Sequence, residues 1–129
     1  MSYTIDRDFP GSDFDTIVER TRTALADNGF GVLTEIDVKA TMKKKIDVDM
    51  DNYLILGACN PKMANEAIRH EPKIGAMLPC NVIVRSTGSG TVTVSAVDPI
   101  ASMQAISNAE LGAVASTVRG MLEKAVAAI

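Results

Sequence analysis

Residues 78–97, LPCNVIVRSTGSGTVTVSAV, decide the fold. Two runs rich in β-branched residues flank Gly88-Ser89-Gly90. Glycine reaches backbone conformations closed to other residues, so this tripeptide turns the chain back and the two runs pair as an antiparallel hairpin. The return run, Thr91 to Val97, sets Val92, Val94 and Ala96 on one side. The outgoing run, about Leu78 to Ser86, carries Pro79 near its start. Proline has no amide hydrogen for a sheet ladder, which suggests an edge position or a bulge there.

Working outward, YLILGAC (53–59) is apolar at nearly every position, as expected of a central strand covered on both sides or of one at a subunit contact. Before it, FGVLTEIDV (30–38) alternates Phe30, Val32, Ile36 and Val38 with Gly31, Glu35 and Asp37, a strand with one wet face. The intervening KATMKKK (39–45) reads as a solvated, lysine-rich turn. Tyr3 to Asp6 is a short candidate strand.

Three helices fit between the strands. Ser12 is placed to cap one that starts at Asp13, with Phe14, Ile17, Val18, Thr21 and Leu25 as its apolar stripe and Asn28-Gly29 as its end. Asn60-Pro61 starts the second, with Met63, Ala64, Ala67 and Ile68 as its buried stripe, and Pro72 stops it. Asp98-Pro99 opens a short helical or irregular piece. A third, long helix follows, for which Ser107 and Glu110 form a capping box with Ile106 and Leu111 as the staple. Its stripe is Leu111, Val114, Ala115, Val118, Leu122, Ala125, Val126 and Ile129. On the adjoining face Gly112, Ser116 and Gly120 recur every fourth residue, which suits close packing on the sheet or a helix contact across a dimer.

The order strand, helix, strand, strand, helix, strand, strand, helix lacks the regular alternation of a parallel doubly wound sheet. We expect a single α+β domain over residues 1–129. Its curved, mostly antiparallel sheet of about five strands packs against the long first and last helices, with the short Pro61 helix at an edge or end.

Composition narrows the function classes. The chain is 47% hydrophobic and 22% charged, in the range of a globular domain. Only 4% is aromatic and seven residues are Met, so the core is built from Val, Ile, Leu, Ala and Met. A net charge of −3 with thirteen Lys and Arg argues against a nucleic-acid surface. No apolar run is long enough to cross a bilayer, so no membrane partner is expected. The first residues carry no basic start followed by an apolar segment. The expected location is the cytoplasm, where two cysteines are free thiols, ligands or a transient redox pair rather than a structural disulfide.

With FGVLTEIDV, TMKKK, ILGACNP, a helix carrying Ala64 and Ala67, LPCNV and Asp98-Pro99 in that order, the sequence resembles the domain-of-unknown-function 302 family over about residues 29–99. The resemblance implies an α+β fold of the kind likened to the TATA-binding protein, often a homodimer, with no agreed activity. A fold analogy to a DNA-binding protein does not carry function with it.

The residues themselves point to one candidate site. Cys59 precedes a helix start, where unpaired amides and the helix dipole favour a thiolate. Cys80 begins a later strand, and neighbouring strand ends could bring the two sulfurs together. Ligand-binding candidates are Cys59, Asn60, Cys80, Asn81 and Lys45, the last able to draw an acidic ligand toward the Cys-Asn-Pro turn; Cys59 and Cys80 are also the candidates for any catalytic role. Buried cysteine is equally at home as a small core residue. Zinc normally takes four Cys and His ligands, and the chain has two Cys and only His70, so no metal site is assigned. Two thiolates would suit a soft ion such as Cu(I), with further ligands from a second copy. His70 reads as a solvated residue favoured by a helix C-terminus. Gly88-Ser89-Gly90 is no phosphate loop, since no helix follows it, and no nucleophile elbow, P-loop or dinucleotide fingerprint is present.

Three functions compete. The first is a homodimer binding a small ligand or ion beside the Cys-Asn-Pro and Leu-Pro-Cys motifs. The second is a thiol redox or thiol-transfer protein in which Cys59 attacks and Cys80 resolves. The third is a structural interaction module whose cysteines are core. No cofactor is indicated.

Overall fold

The computed structural model describes residues 2–129. In chain order the elements are β1 (Thr4–Pro10), α1 (Phe14–Asp27), β2 (Gly31–Asp37), α2 (Val38–Ile46), β3 (Tyr53–Cys59) and α3 (Pro61–His70). A short 3-10 turn (Pro72–Met77) leads to β4 (Cys80–Ser86), β5 (Thr91–Val97), α4 (Pro99–Ser102) and α5 (Ala109–Ala127). The strands form one five-stranded sheet in the order β1-β5-β4-β3-β2, antiparallel throughout. This is the expected α+β architecture.

One face of the sheet carries the core. Leu56, Val82, Val84, Val94 and Ala96 are sealed against Ile17 and Leu25 of α1 and Leu122 of α5. Each such aliphatic side chain contributes roughly 1.5–3 kcal/mol by leaving water. The opposite face is an open cleft of about 880 Å³ lined by polar groups including Asp8, Asn81, Arg85 and Thr93. Thus helices cover β3 on one side only: Leu54, Leu56 and Ala58 are buried, whereas Tyr53 and Ile55 are half-exposed.

Several local expectations shift. β1 is longer than the predicted Tyr3–Asp6 because its register with β5 runs on to Pro10, an edge position where a missing amide hydrogen costs no ladder bond. Its Arg7 guanidinium crosses to the end of α5 and donates to the carbonyls of Val126, Ala127 and Ile129. Asp13, not Ser12, caps α1, accepting from the Thr16 amide at 3.0 Å. A bulge between Val32 and Thr34 breaks the expected alternation of β2, so Ile36 pairs with Ile55 and stays 48% exposed. Pro79 lies just outside β4, which is an interior strand and not an edge.

The lysine-rich segment is a helix, not a turn. Asp37 caps α2 by accepting from the Ala40 amide, and Lys43 pairs with Asp47 and Asp49. Asn108 rather than Ser107 caps α5: its Oδ1 accepts from the Glu110 amide, while its Nδ2 donates to the His70 carbonyl at 2.9 Å. The His70 side chain is half-buried, with its Nδ1 against the Glu110 carboxylate, rather than freely solvated. The Gly112 and Gly120 positions have open space where a side chain would begin, so this face of α5 does not pack on the sheet.

Candidate functional site

The register sets the site. Ala58 of β3 pairs with Cys80 of β4, so Cys59 lies one residue beyond that pairing at the adjacent strand end. Gly57 brings the Leu-Pro-Cys segment this close: a Cβ there would fall 2.1 Å from Thr34 Oγ1 and 2.8 Å from Pro79 Cγ. Glycine is required by this approach of Thr34 and Pro79 over the strand.

Asn60 then redirects the chain. Its Oδ1 accepts from the Met63 amide at 3.0 Å, supplying the cap of α3, and Pro61 takes the first helical position, where its missing donor is no loss. Its Nδ2 donates to the Gly29 carbonyl at 2.9 Å. Both ends of the amide are therefore engaged in holding the backbone.

Between these elements and α5 lies a cavity of about 30 Å³. Cys59, Asn60, Cys80, Met63 and Met103 line it together with Phe30, Leu78, Pro79 and small aliphatic side chains of α5. Cys59 is half-buried and Cys80 buried, and both are free thiols. Removal from water pushes the Cys80 thiol up to about 11, and the nearby Cys59 sulfur adds to the shift, because an anion there would be repelled.

The sequence candidates thus divide. Cys59, Asn60 and Cys80 share the cavity. Asn81, the next residue along β4, faces the open cleft on the other side of the sheet. Lys45 is exposed on α2, does not line the cavity, and points no charge into it. Met63 and Met103 enter as cavity residues that periodicity alone did not single out. Met63 read as core stripe, and Met103 fell in a piece without a regular period.

A model of the domain of unknown function DUF302 matches residues 5–129. The chain belongs to this family. The DUF302 match takes in both flanking helices and β1, beyond the span of 29–99 that carries the quoted motifs. The fold is also that of a crystal structure of an uncharacterized conserved protein DUF302 from Bacillus stearothermophilus, with a TM-score of 0.90 over 98% of each chain at 21% identity. At that identity the likeness speaks for the fold. No curated protein matches the chain.

Proposed function

We propose that this DUF302 chain acts as a homodimer that binds a small ligand or ion in the Cys59–Cys80 cavity. The observation that carries the reading is that both cysteines, from two different strands, line one small cavity beside the start of α3. A cytoplasmic setting fits it, since thiols stay reduced there.

The dimer is supported by α2. A nine-residue helix is too short to be stable on its own in water, and this one fully buries none of its side chains, with only Val38, Thr41 and Met42 half-buried. Leu33 and Ile36 of β2, with Ile46 and Val48 at the end of α2, are 67%, 48%, 63% and 44% exposed. Apolar groups collected on one arm of a small domain suit a second copy of that arm, as in a two-fold contact.

The test is a thermal-shift panel of metal ions, small anions and glutathione on the full chain, with the Cys59→Ala/Cys80→Ala double variant as control. Stabilisation by one of them that the double variant loses supports the reading; a panel with no cysteine-dependent shift rejects it. Sedimentation of Ile36→Asp and Ile46→Asp tests the arm, for which a shift from dimer to monomer is expected.

The adjacent strand ends also favour a second reading as a thiol oxidoreductase. There Cys59 attacks a substrate disulfide and Cys80 resolves the mixed disulfide, so that two protein thiols are oxidised as the substrate is reduced to two thiols.

A further inference from the structure

Four sulfur-bearing side chains meet at one cavity: Cys59 at the end of β3, Cys80 at the start of β4, Met63 in the first turn of α3 and Met103 just after α4. They come from separate segments, so no local repeat explains the grouping. The cavity, about 30 Å³, has room for roughly one or two water-sized bodies. Organic ligands of drug size occupy about 300–1,000 Å³. The occupant that fits is a single ion.

The lining selects the kind of ion. Apart from the sulfurs it is almost wholly apolar, and the one amide, Asn60, is already engaged with Met63 and Gly29. Among the described residues no three His, Cys, Asp or Glu side chains come together. Calcium and magnesium need oxygen ligands, and structural zinc needs about four Cys or His ligands. Thiolate and thioether sulfur together select a soft monovalent metal.

We propose that the cavity binds one Cu(I) ion through the sulfurs of Cys59 and Cys80, with Met63 and Met103 supplying thioether ligands. The proposal rests on the reading above that this cavity is the binding centre. Each thiol gives its proton to solvent as its sulfur binds. One cation with two thiolates leaves a net negative charge, and the positive end of the α3 dipole lies beside Cys59. The apolar wall keeps water from the metal.

The experiment is an anaerobic titration of the full chain with Cu(I), supplied as its acetonitrile complex and competed with bicinchoninate. One ion per chain is expected. Cys59→Ser and Cys80→Ser should each lower the affinity by roughly 100-fold, and Met63→Leu and Met103→Leu, which keep volume and apolarity, by roughly 10-fold each with unchanged circular dichroism. X-ray absorption should report a shell of sulfur scatterers only. No retained Cu(I), or wild-type affinity in both leucine variants, overturns the proposal. Failure of copper alongside a cysteine-dependent shift by another member of the thermal panel removes copper and leaves the binding reading standing. Absence of any cysteine-dependent shift removes both.

Discussion

Asn60 Nδ2 donates to the Gly29 carbonyl at 2.9 Å, so the residue that caps α3 also pins the turn between α1 and β2. Asn60→Ala loses both bonds and should destabilise the fold by about 2 kcal/mol. Asn60→Asp keeps a good cap but turns a second oxygen toward the Gly29 carbonyl, and should cost about 1 kcal/mol. Urea denaturation of the two variants gives the order; an aspartate variant as stable as wild type would show that the Gly29 bond contributes nothing.

The two thiols should differ in reactivity. Cys59 is half-buried, whereas Cys80 is buried with its thiol pushed up to about 11. Near pH 8 only about one Cys80 in a thousand is then thiolate, the nucleophilic form. Iodoacetamide labelling of the native protein, followed by mass spectrometry, should mark Cys59 at least about tenfold faster than Cys80. Equal inertness of both would end the oxidoreductase reading.

Stability should fall in alkali. A cysteine in the unfolded chain ionises near its ordinary value of 9.0, but folded Cys80 holds its proton until about 11. The unfolded state therefore loses its proton first as pH rises. Cys80's contribution is complete below about pH 9 and declines from there through about pH 11, to a total of about 3 kcal/mol. Cys80→Ala should flatten this decline, measured as denaturation midpoints against pH.

Gly57→Ala places a methyl group 2.1 Å from Thr34 Oγ1 and 2.8 Å from Pro79 Cγ. Overpacking of this kind costs about 1–3 kcal/mol. Thr34→Ala removes the nearer atom and should recover part of the loss in the double variant, whereas additive losses would mean that Pro79 alone sets the limit.

Locally encoded features were legible in the sequence. The β4–β5 hairpin, the Asn60-Pro61 helix start and the α5 stripe each depend on residues within a few positions of one another, and the structure has all three. The nearness of Cys59 and Cys80 followed from placing two strand ends side by side. What escaped was decided at a distance. Ser107 and Asn108 are both good caps, and Asn108 acts because its amide also reaches the His70 carbonyl, 38 residues away. The α2 helix buries no side chain fully and only half-buries Val38, Thr41 and Met42, too weak a stripe to announce it among the lysines. Asn81 was grouped with Cys80 by adjacency, although successive strand residues face opposite sides of a sheet. Met103 lies just after the short α4, where no period fixes which way a side chain turns.

The bonds from Arg7 to Val126 and Ala127 span 119 and 120 positions, and β1, which ends at Pro10, finds its partner β5 only when the chain reaches Thr91. Closing loops of that length costs entropy before any contact returns it, which puts folding in the slow range for a domain of this size. On the ribosome the earliest segment must wait for the latest, and until α5 emerges the apolar side of the sheet is exposed to chaperones and to other nascent chains.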